Sequence, residues 1–513
     1  MLSGINPCSA GICCTGTAEM NKRDSDPQSN CSVRPMTQPR EMKTKTYLYG
    51  VNTLDGDDAW EMFVASAVGD VPKLKTLLTK DPRLVNAQYW YQFPIHRAVD
   101  FGHAEIVKLL LENGADPGQS RYTYDSWDKL LQSARNNRHH EIELLLIQAM
   151  ERRFNYSPDF AQLKAAIISR NAAGIEGVLQ HRPALITAAD ALGNNALHWS
   201  VITRQLSLIE HFVDLGTPVD ALRADGQSPV LLAVNGATDY WYRETRSKSH
   251  PSLRNTSVLV GSLLALGATY TISVAAAVGD QERILQCIHE DPDSAKRLDS
   301  SRLSPLTHAS RSSYLHIVQM LLDCGADPNV AEECAPEGRA LYEACCANHL
   351  PIAQLLLERG ADPNAGVDSC ECCLTIAEVY HGEHAKPLQE LLLKHGAFLP
   401  PYHMNAQQLK QAIRDNSMVV RHDEFLRCVM QNCDTELLEL LLSLDLSVIK
   451  SLEVGDELVY LKEPKFIERL LSQGLDPTRP NWLGRTLLEA CRENGNDVLP
   501  NLYAKSKTEI DNH

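Results

Sequence analysis

The chain of 513 residues carries a formal net charge of −16, and 44% of its residues are apolar and 22% charged. This composition is typical of globular proteins, and the negative charge argues against general binding to nucleic-acid phosphates, which requires a basic surface. No apolar run reaches the roughly 18 residues of a membrane-spanning helix, so we predict no membrane insertion.

The N-terminal segment differs in composition from the rest. Residues 1–50 are rich in Ser, Thr, Pro and Cys and show no helical period, so we predict a disordered tail. No basic region precedes its apolar residues, which argues against a signal peptide. The fifteen cysteines of the chain are scattered, which indicates reduced thiols and a cytoplasmic location.

Three later stretches share one order of motifs. They are FPIHRAVDFGHAEIVKLLLENGADP from Phe93, SPLTHASRSSYLHIVQMLLDCGADPN from Ser304, and RALYEACCANHLPIAQLLLERGADPN from Arg339. In each stretch, 16 positions separate an alanine near the start from the glycine that precedes the A-D-P run, as between Ala98 and Gly114. The apolar stripe of AEIVKLLLENG is too wide for a lone helix, so each unit must stack on a neighbour.

These motifs resemble the ankyrin repeat family, with a T-P-L-H-x-A-like start, a G-H-x-E-I-V-x-L-L-L centre and a G-A-D-P-N end. The resemblance implies an all-α solenoid of helix-turn-helix units, with a short β-turn finger before each T-P-L-H motif. We predict about thirteen units of about 33 residues each. The array covers residues 55–400, degenerate ankyrin-like repeats and a C-terminal cap cover 401–505, and a tail covers 506–513.

A longer period lies above the single repeat. Segments that begin at Ala67, Arg170 and Ala277 resemble one another, and each leads through a D-P or R-P pair into a T-P-L-H-like unit. This arrangement predicts an array that was built from duplicated two-repeat modules.

Two histidines occupy the T-P-L-H motif. The family resemblance implies that His96 and His198 tie the turn to its neighbours by hydrogen bonds, rather than acting in catalysis. Phe93 stands where the motif has threonine, so the helix that follows lacks a side-chain N-cap, at a cost of about 1 kcal/mol.

One cysteine cluster is a candidate for metal or thiol chemistry. Cys370, Cys372 and Cys373 contain one CxxC spacing, whereas a structural zinc site needs four ligands and usually a second pair. Cys345 and Cys346 lie one repeat earlier. We therefore predict reduced thiols and no metal, with a metal- or thiol-dependent sensor as the alternative. The chain has no P-loop, dinucleotide fingerprint or nucleophile elbow, so we predict no cofactor and no enzymatic activity.

Aromatic residues on the predicted fingers are the strongest binding signal. The stretches NAQYWYQ and RYTYDSW place them on or beside the second finger and the next one, and exposed Tyr and Trp are common at binding hot spots. The alternative is that these rings pack between fingers and stiffen the array. The candidate anchors are Tyr89, Trp90, Tyr91, Tyr122, Tyr124 and Trp127.

An insertion interrupts one unit. Ala233 and Gly267 are 34 positions apart where other units have 16, which predicts an insert loop over residues 236–254 between two helices. Four basic and two acidic residues give this loop a net charge of +2, suited to an acidic partner surface. Its Tyr240, Trp241 and Tyr242 form a second, weaker candidate site, and the alternative is an ordinary solvated loop.

The resemblance implies a non-catalytic scaffold or adaptor that binds one or more proteins. We predict a monomer that contacts its partners through the concave face and the fingers of the first three units. Two alternatives stay open. One is the sensor that uses the Cys370–Cys373 region, and the other is a secreted effector that binds host proteins.

Overall fold

The protein is described from a computed structural model. The described residues are 38, 42, 47–49, 52–89, 92–118, 130–235, 256–332, 335, 337–365, 367, 372–415, 417, 428–429, 434–442, 458–459, 461–472, 474–479 and 486–510.

A short hairpin precedes the helices. Strand β1 (Tyr47–Tyr49) pairs antiparallel with β2 (Asn52–Leu54). Upstream, Met42 is buried in the first core, and Gln38 Nε2 donates to Asp57 Oδ1 at 2.7 Å. The predicted tail boundary at residue 50 is therefore wrong, because β1 and Met42 belong to the fold. Strands of three residues are too short to give a readable alternation in sequence.

Among the described residues, twenty α-helices then follow as ten pairs. The pairs, in order, are α1 Gly56–Val68 and α2 Val71–Lys80, α3 Pro94–Asp100 and α4 Ala104–Glu112, α5 Leu130–Asn136 and α6 His140–Phe154, α7 Phe160–Ile168 and α8 Ala172–His181, α9 Ala196–Ile202 and α10 Leu206–Asp214, α11 Pro229–Asn235 and α12 Thr256–Ala265, α13 Ile272–Val278 and α14 Gln281–Glu290, α15 Pro305–Arg311 and α16 Leu315–Asp323, α17 Ala340–Cys346 and α18 Leu350–Glu358, and α19 Cys373–His381 and α20 Lys386–Lys394.

The helices stack in two rows. First helices pack on first helices, as α13 does on α15 and α15 on α17, and second helices pack on second helices, as α16 does on α18. Each pair thereby buries its apolar stripe against its neighbours, as expected for a repeat array. This architecture confirms the predicted all-α solenoid.

The repeat motifs have identifiable local roles. The Ser304 side chain caps α15 by accepting from the Thr307 N–H at 3.1 Å, and Pro305 occupies the first helical turn. At the other end of the unit, Asn329 Nδ2 donates to the Gly360 carbonyl at 2.8 Å, one pair further along. The Asn329 Oδ1 accepts from the Asp362 N–H at 2.9 Å. The closing asparagine therefore fixes the spacing between neighbouring pairs.

A larger unit of three helix pairs is present. Short 3-10 helices follow α2, α8 and α14, which is every third pair: Pro82–Asn86, Pro183–Ile186 and Ser294–Lys296. The buried core divides at matching places into a first module (α1–α6), a second module (α7–α12) and a third module (α13–α20). The prediction of two-repeat modules is thus wrong. In the first module the third helix pair has weak motifs, and in the second module the third pair carries the insert. Comparison within the sequence therefore detects only two of the three pairs in each of these modules.

The C-terminal region forms a fourth buried cluster. Its helices are α21 Ala406–Arg414, α22 Thr435–Leu442, α23 Pro464–Ser472, α24 Leu487–Glu493 and α25 Val498–Ile510. In the part of the chain that the structure describes, no helix is long and apolar enough to cross a membrane.

Candidate protein-binding surface

The finger of the second pair holds the first predicted anchor, Tyr89. Its N–H donates to the Gln92 carbonyl at 3.0 Å, and the Gln92 N–H donates back at 2.9 Å, so the two residues close a β-turn. The Tyr89 side chain is only 8% exposed and packs into the first core. The expectation that Tyr89 is exposed is wrong, because the ring points from the base of the finger into the module. The packing alternative holds for this residue.

The other predicted anchors fall on positions outside the described residues, and they remain predictions. These are Trp90, Tyr91, Tyr122, Tyr124, Trp127, Tyr240, Trp241 and Tyr242.

The motif histidines behave as the family resemblance implies. The Phe93 side chain offers no cap, and its N–H donates to His96 Nδ1 at 3.0 Å. His198 Nε2 lies 3.2 Å from the Gln227 carbonyl in the next finger, and its Nδ1 accepts from the Asn195 N–H at 3.3 Å. Burial, and after it the nearby Arg223, lower the pKa of His198 to about 4. The imidazole is therefore neutral near pH 7 and acts as a structural hydrogen-bonding group.

The first helices carry a row of large polar or amphipathic residues at the x position of T-P-L-H-x-A. Other units hold buried apolar residues there, such as Ala275 in α13 and Leu232 in α11. The x position instead holds buried side chains that are 1–5% exposed: Arg97 in α3, Trp199 in α9, His308 in α15 and Glu343 in α17. Polar side chains of this size are seldom fully buried without partners, so this row is the most informative polar feature of the array.

Glu343 is the centre of an ionic network. Arg311 donates to both of its oxygens, through Nη2 at 2.7 Å and Nε at 3.0 Å, and Arg339 Nε donates at 2.8 Å. Arg311 Nη1 also donates to Asn235 Oδ1 at 2.6 Å, which links the second module to the third. Burial alone raises the pKa of Glu343, but the two guanidinium groups outweigh it and hold this pKa well below its usual range.

The x-position residues of α9 and α15 are paired with finger carboxylates. Trp199 Nε1 donates to Asp190 Oδ2 at 3.1 Å, and Lys164 Nζ lies 4.2 Å from the centroid of the Trp199 rings. His308 Nε2 lies 2.7 Å from Asp299 Oδ2. Finger and first helix are therefore held together by polar contacts in two different modules.

The cysteine cluster has the character of buried thiols. Cys345 and Cys373 are fully buried in α17 and α19 and interact with each other. That contact and burial raise the pKa of Cys345, and burial raises the pKa values of Cys346 and Cys372. Raised pKa values leave little thiolate at pH 7, which disfavours nucleophilic or ligand roles. Within the described ranges no three His, Cys, Asp or Glu residues are placed to hold a metal ion, and Cys370 lies outside them.

Sequence reasoning selected aromatics and did not identify the x-position row. The signal was present, since Arg, Trp, His and Glu stand at one motif position in four units, where other units have Ala275, Leu232 and Ile376. The pairing of Trp199 and His308 with finger carboxylates became visible only in the folded arrangement of the units.

A family model described as ankyrin repeats (3 copies) matches residues 62–157 and 272–366. These two stretches of the chain are ankyrin repeats. The two matched stretches correspond to the first module and to the first three pairs of the third module. No curated protein matches the chain. Ankyrin repeats are in general protein–protein interaction modules.

Proposed function

We propose that this chain is a non-catalytic scaffold that binds partner proteins through the concave face and the fingers of its array. The x-position row is the observation that carries this proposal. In ankyrin arrays the first helices line the concave face, and here these helices carry Trp199, His308 and Glu343, which are buried and hold polar neighbours by hydrogen bonds. Buried charge networks seldom improve stability over apolar packing. The networks here orient the partly exposed Lys164 and Arg339, and that arrangement supports a role in recognition.

The charge distribution along this face favours polar partners. Lys164 is one-third exposed beside Asp190, and the side chain of Arg339 is 20% exposed beside Glu343. A partner that offers matched charges meets groups that are already oriented by their neighbours, which lowers the ordering cost of binding.

The aromatic fingers supply the apolar part of the proposed surface. Tyr89 is buried and serves as an internal support, so the proposed contact residues of this finger are Trp90 and Tyr91. The rings at Tyr122, Tyr124 and Trp127 extend the proposal to the next unit, and the insert aromatics at 240–242 form a separate, weaker candidate.

The test separates binding from folding. A partner is first identified by affinity capture with the full chain, and its affinity is then measured with purified proteins by calorimetry. The double variant Trp90→Ala/Tyr91→Ala leaves Tyr89 in place and is expected to weaken binding at least about ten-fold. Tyr380→Ala is the matched control, because Tyr380 is 59% exposed on α19, far along the array, and is expected to leave affinity unchanged. Equal affinity of the double variant and the unaltered chain would exclude the finger site.

A further inference from the structure

The turns that join the two helices of each pair lie along one edge of the array. In these turns the residue before the N-cap of the second helix adopts a left-handed conformation. It is glycine, serine or asparagine in five turns: Gly69, Gly102, Gly279, Ser313 and Asn348. It is arginine in the three successive turns of α5–α6, α7–α8 and α9–α10: Arg138, Arg170 and Arg204.

Arginine is an unusual residue for this position. A left-handed backbone brings the Cβ atom close to the following carbonyl oxygen, so glycine adopts it freely and asparagine more readily than most residues. The φ angles of Arg138, Arg170 and Arg204 are 59°, 55° and 53°. The same strained choice in three successive pairs indicates that the guanidinium groups have a use that glycine does not supply.

The same three turns are the basic part of this edge. The sequence windows 135–140, 167–172 and 201–206 contain four arginines and no acidic residue. The matching windows of three other turns contain no lysine or arginine, and each has an aspartate: Asp70, Asp100 and Asp280. On a chain with a formal net charge of −16, the arginine turns are a local reversal of charge.

The structure gives the three side chains different surroundings. Arg204 is 4% exposed, and its Nη2 donates to Thr256 Oγ1 at 3.5 Å. Arg170 Nη2 donates to the Thr203 carbonyl at 2.9 Å, which holds the guanidinium against the next turn while the residue stays exposed. Arg138 is also exposed. Within the part of the chain that the structure describes, no carboxylate forms an ion pair with Arg138 or Arg170, so their charges are available to a ligand.

We propose that this turn edge, defined by Arg138, Arg170 and Arg204, binds an acidic segment of a partner protein. Arg138 and Arg170 contact the carboxylates, and Arg204 is a positioning residue that holds its turn in place. A guanidinium group can donate two parallel N–H bonds to one carboxylate, which suits this partner chemistry. The surface is separate from the fingers of the proposed function, because fingers and turns lie at opposite ends of the first helices.

The spacing of the turns sets the spacing of the carboxylates. Packed helices lie about 8–10 Å apart, so arginines on adjacent turns repeat at about that distance. The bond from Arg170 to Thr203 shows that two of these turns are in direct contact. Three residues of an extended segment cover about 10 Å. The matching ligand therefore carries a carboxylate at every third residue.

The probe is a fluorescein-labelled peptide of four Glu-Gly-Ser triplets, and its binding to the full chain is measured by fluorescence anisotropy. A peptide with glutamine in place of glutamate is expected to bind at least about ten-fold more weakly, because it offers no charge. Arg138→Gly/Arg170→Gly is expected to weaken binding of the glutamate peptide at least about ten-fold. This variant is expected to stay folded, as circular dichroism can check, because glycine adopts the left-handed conformation without strain.

Lys75→Ala/Lys108→Ala is the matched control, because it also removes two positive charges, from exposed positions on α2 and α4. It is expected to leave the affinity within about two-fold of the unaltered chain. Equal affinities of the arginine variant and this control would overturn the proposal, and so would failure of the glutamate peptide to bind the unaltered chain. A single-stranded DNA of the same charge is the second probe, and tighter binding of the DNA than of the peptide would overturn the assignment to a protein partner.

Discussion

The two junctions of the array are built differently. Between the second and third modules a single helix, α13, belongs to both cores. Val274 packs into the second core, and the next residue, Ala275, packs into the third. Between the first and second modules the connector at Asn155 joins two separate cores. A shared helix transmits unfolding from one core to the next, whereas a polar connector allows each core to keep its own stability.

Disrupting α13 is expected to have the largest effect. Val274→Asp places an unpaired carboxylate in a fully buried position and is expected to cost roughly 5 kcal/mol. Because α13 is shared, hydrogen exchange should rise in both α9–α12 and α15–α18 while α1–α4 keep their protection. Val258→Asp is the control, since Val258 is 45% exposed on α12 and should tolerate the charge. Loss of protection in only one of the two modules would contradict a shared core.

The ionic network across the second junction is expected to have the next largest effect. Glu343→Gln leaves Arg311 and Arg339 without their buried carboxylate and is expected to cost about 3 kcal/mol at pH 7, measured by denaturant unfolding. The pKa of Glu343 is lowered in the folded chain, so its contribution is present above the unfolded pKa and is lost as pH falls. The difference between the two chains should therefore shrink below about pH 4.5.

A second glutamate provides the matched control for this variant. Glu332 is equally buried, but burial raises its pKa to about 7, while hydrogen bonds from Ser304 and Thr307 only partly offset the rise. A raised pKa means that its ionisation costs stability as pH rises through about 7. Glu332→Gln is expected to gain stability relative to the unaltered chain from pH 5 to pH 8. A loss at pH 8 similar to that of Glu343→Gln would show that the amide itself, and not the charge, disturbs the module.

The connector is expected to give the smallest and most local effect. Asn155→Ala removes the bond to Thr187 and places alanine in a left-handed conformation, at a cost of about 1–2 kcal/mol. Asn155→Gly loses the same hydrogen bond but adopts the left-handed conformation without strain, so it measures the contribution of the bond alone. Amide exchange should rise near residues 187–189 and stay constant in the third module. A change that spreads into α15–α18 would contradict independent cores.

Much of the architecture was readable in the sequence. The G-A-D-P-N and T-P-L-H-like motifs predict helix pairs because their prolines, glycines and capping residues act within a few positions of each other, as Ser304 does for α15. The same reasoning from local sequence did not predict β1, because a strand of three residues is too short to show an alternating pattern. It did not predict the burial of Tyr89, because the residue type alone does not show whether a ring is exposed or packed.

The sequence by itself determined the class of fold and the spacing of its units, because these depend on local backbone chemistry repeated along the chain. Only the tertiary structure decided that the buried core divides into modules of three, three and four pairs, that Arg311 joins Asn235 to Glu343, and that Gly118 rests on the fingers of the second module. These contacts connect residues from about 30 to more than 100 positions apart. Their partners are selected by how the units stack, and no single repeat encodes them.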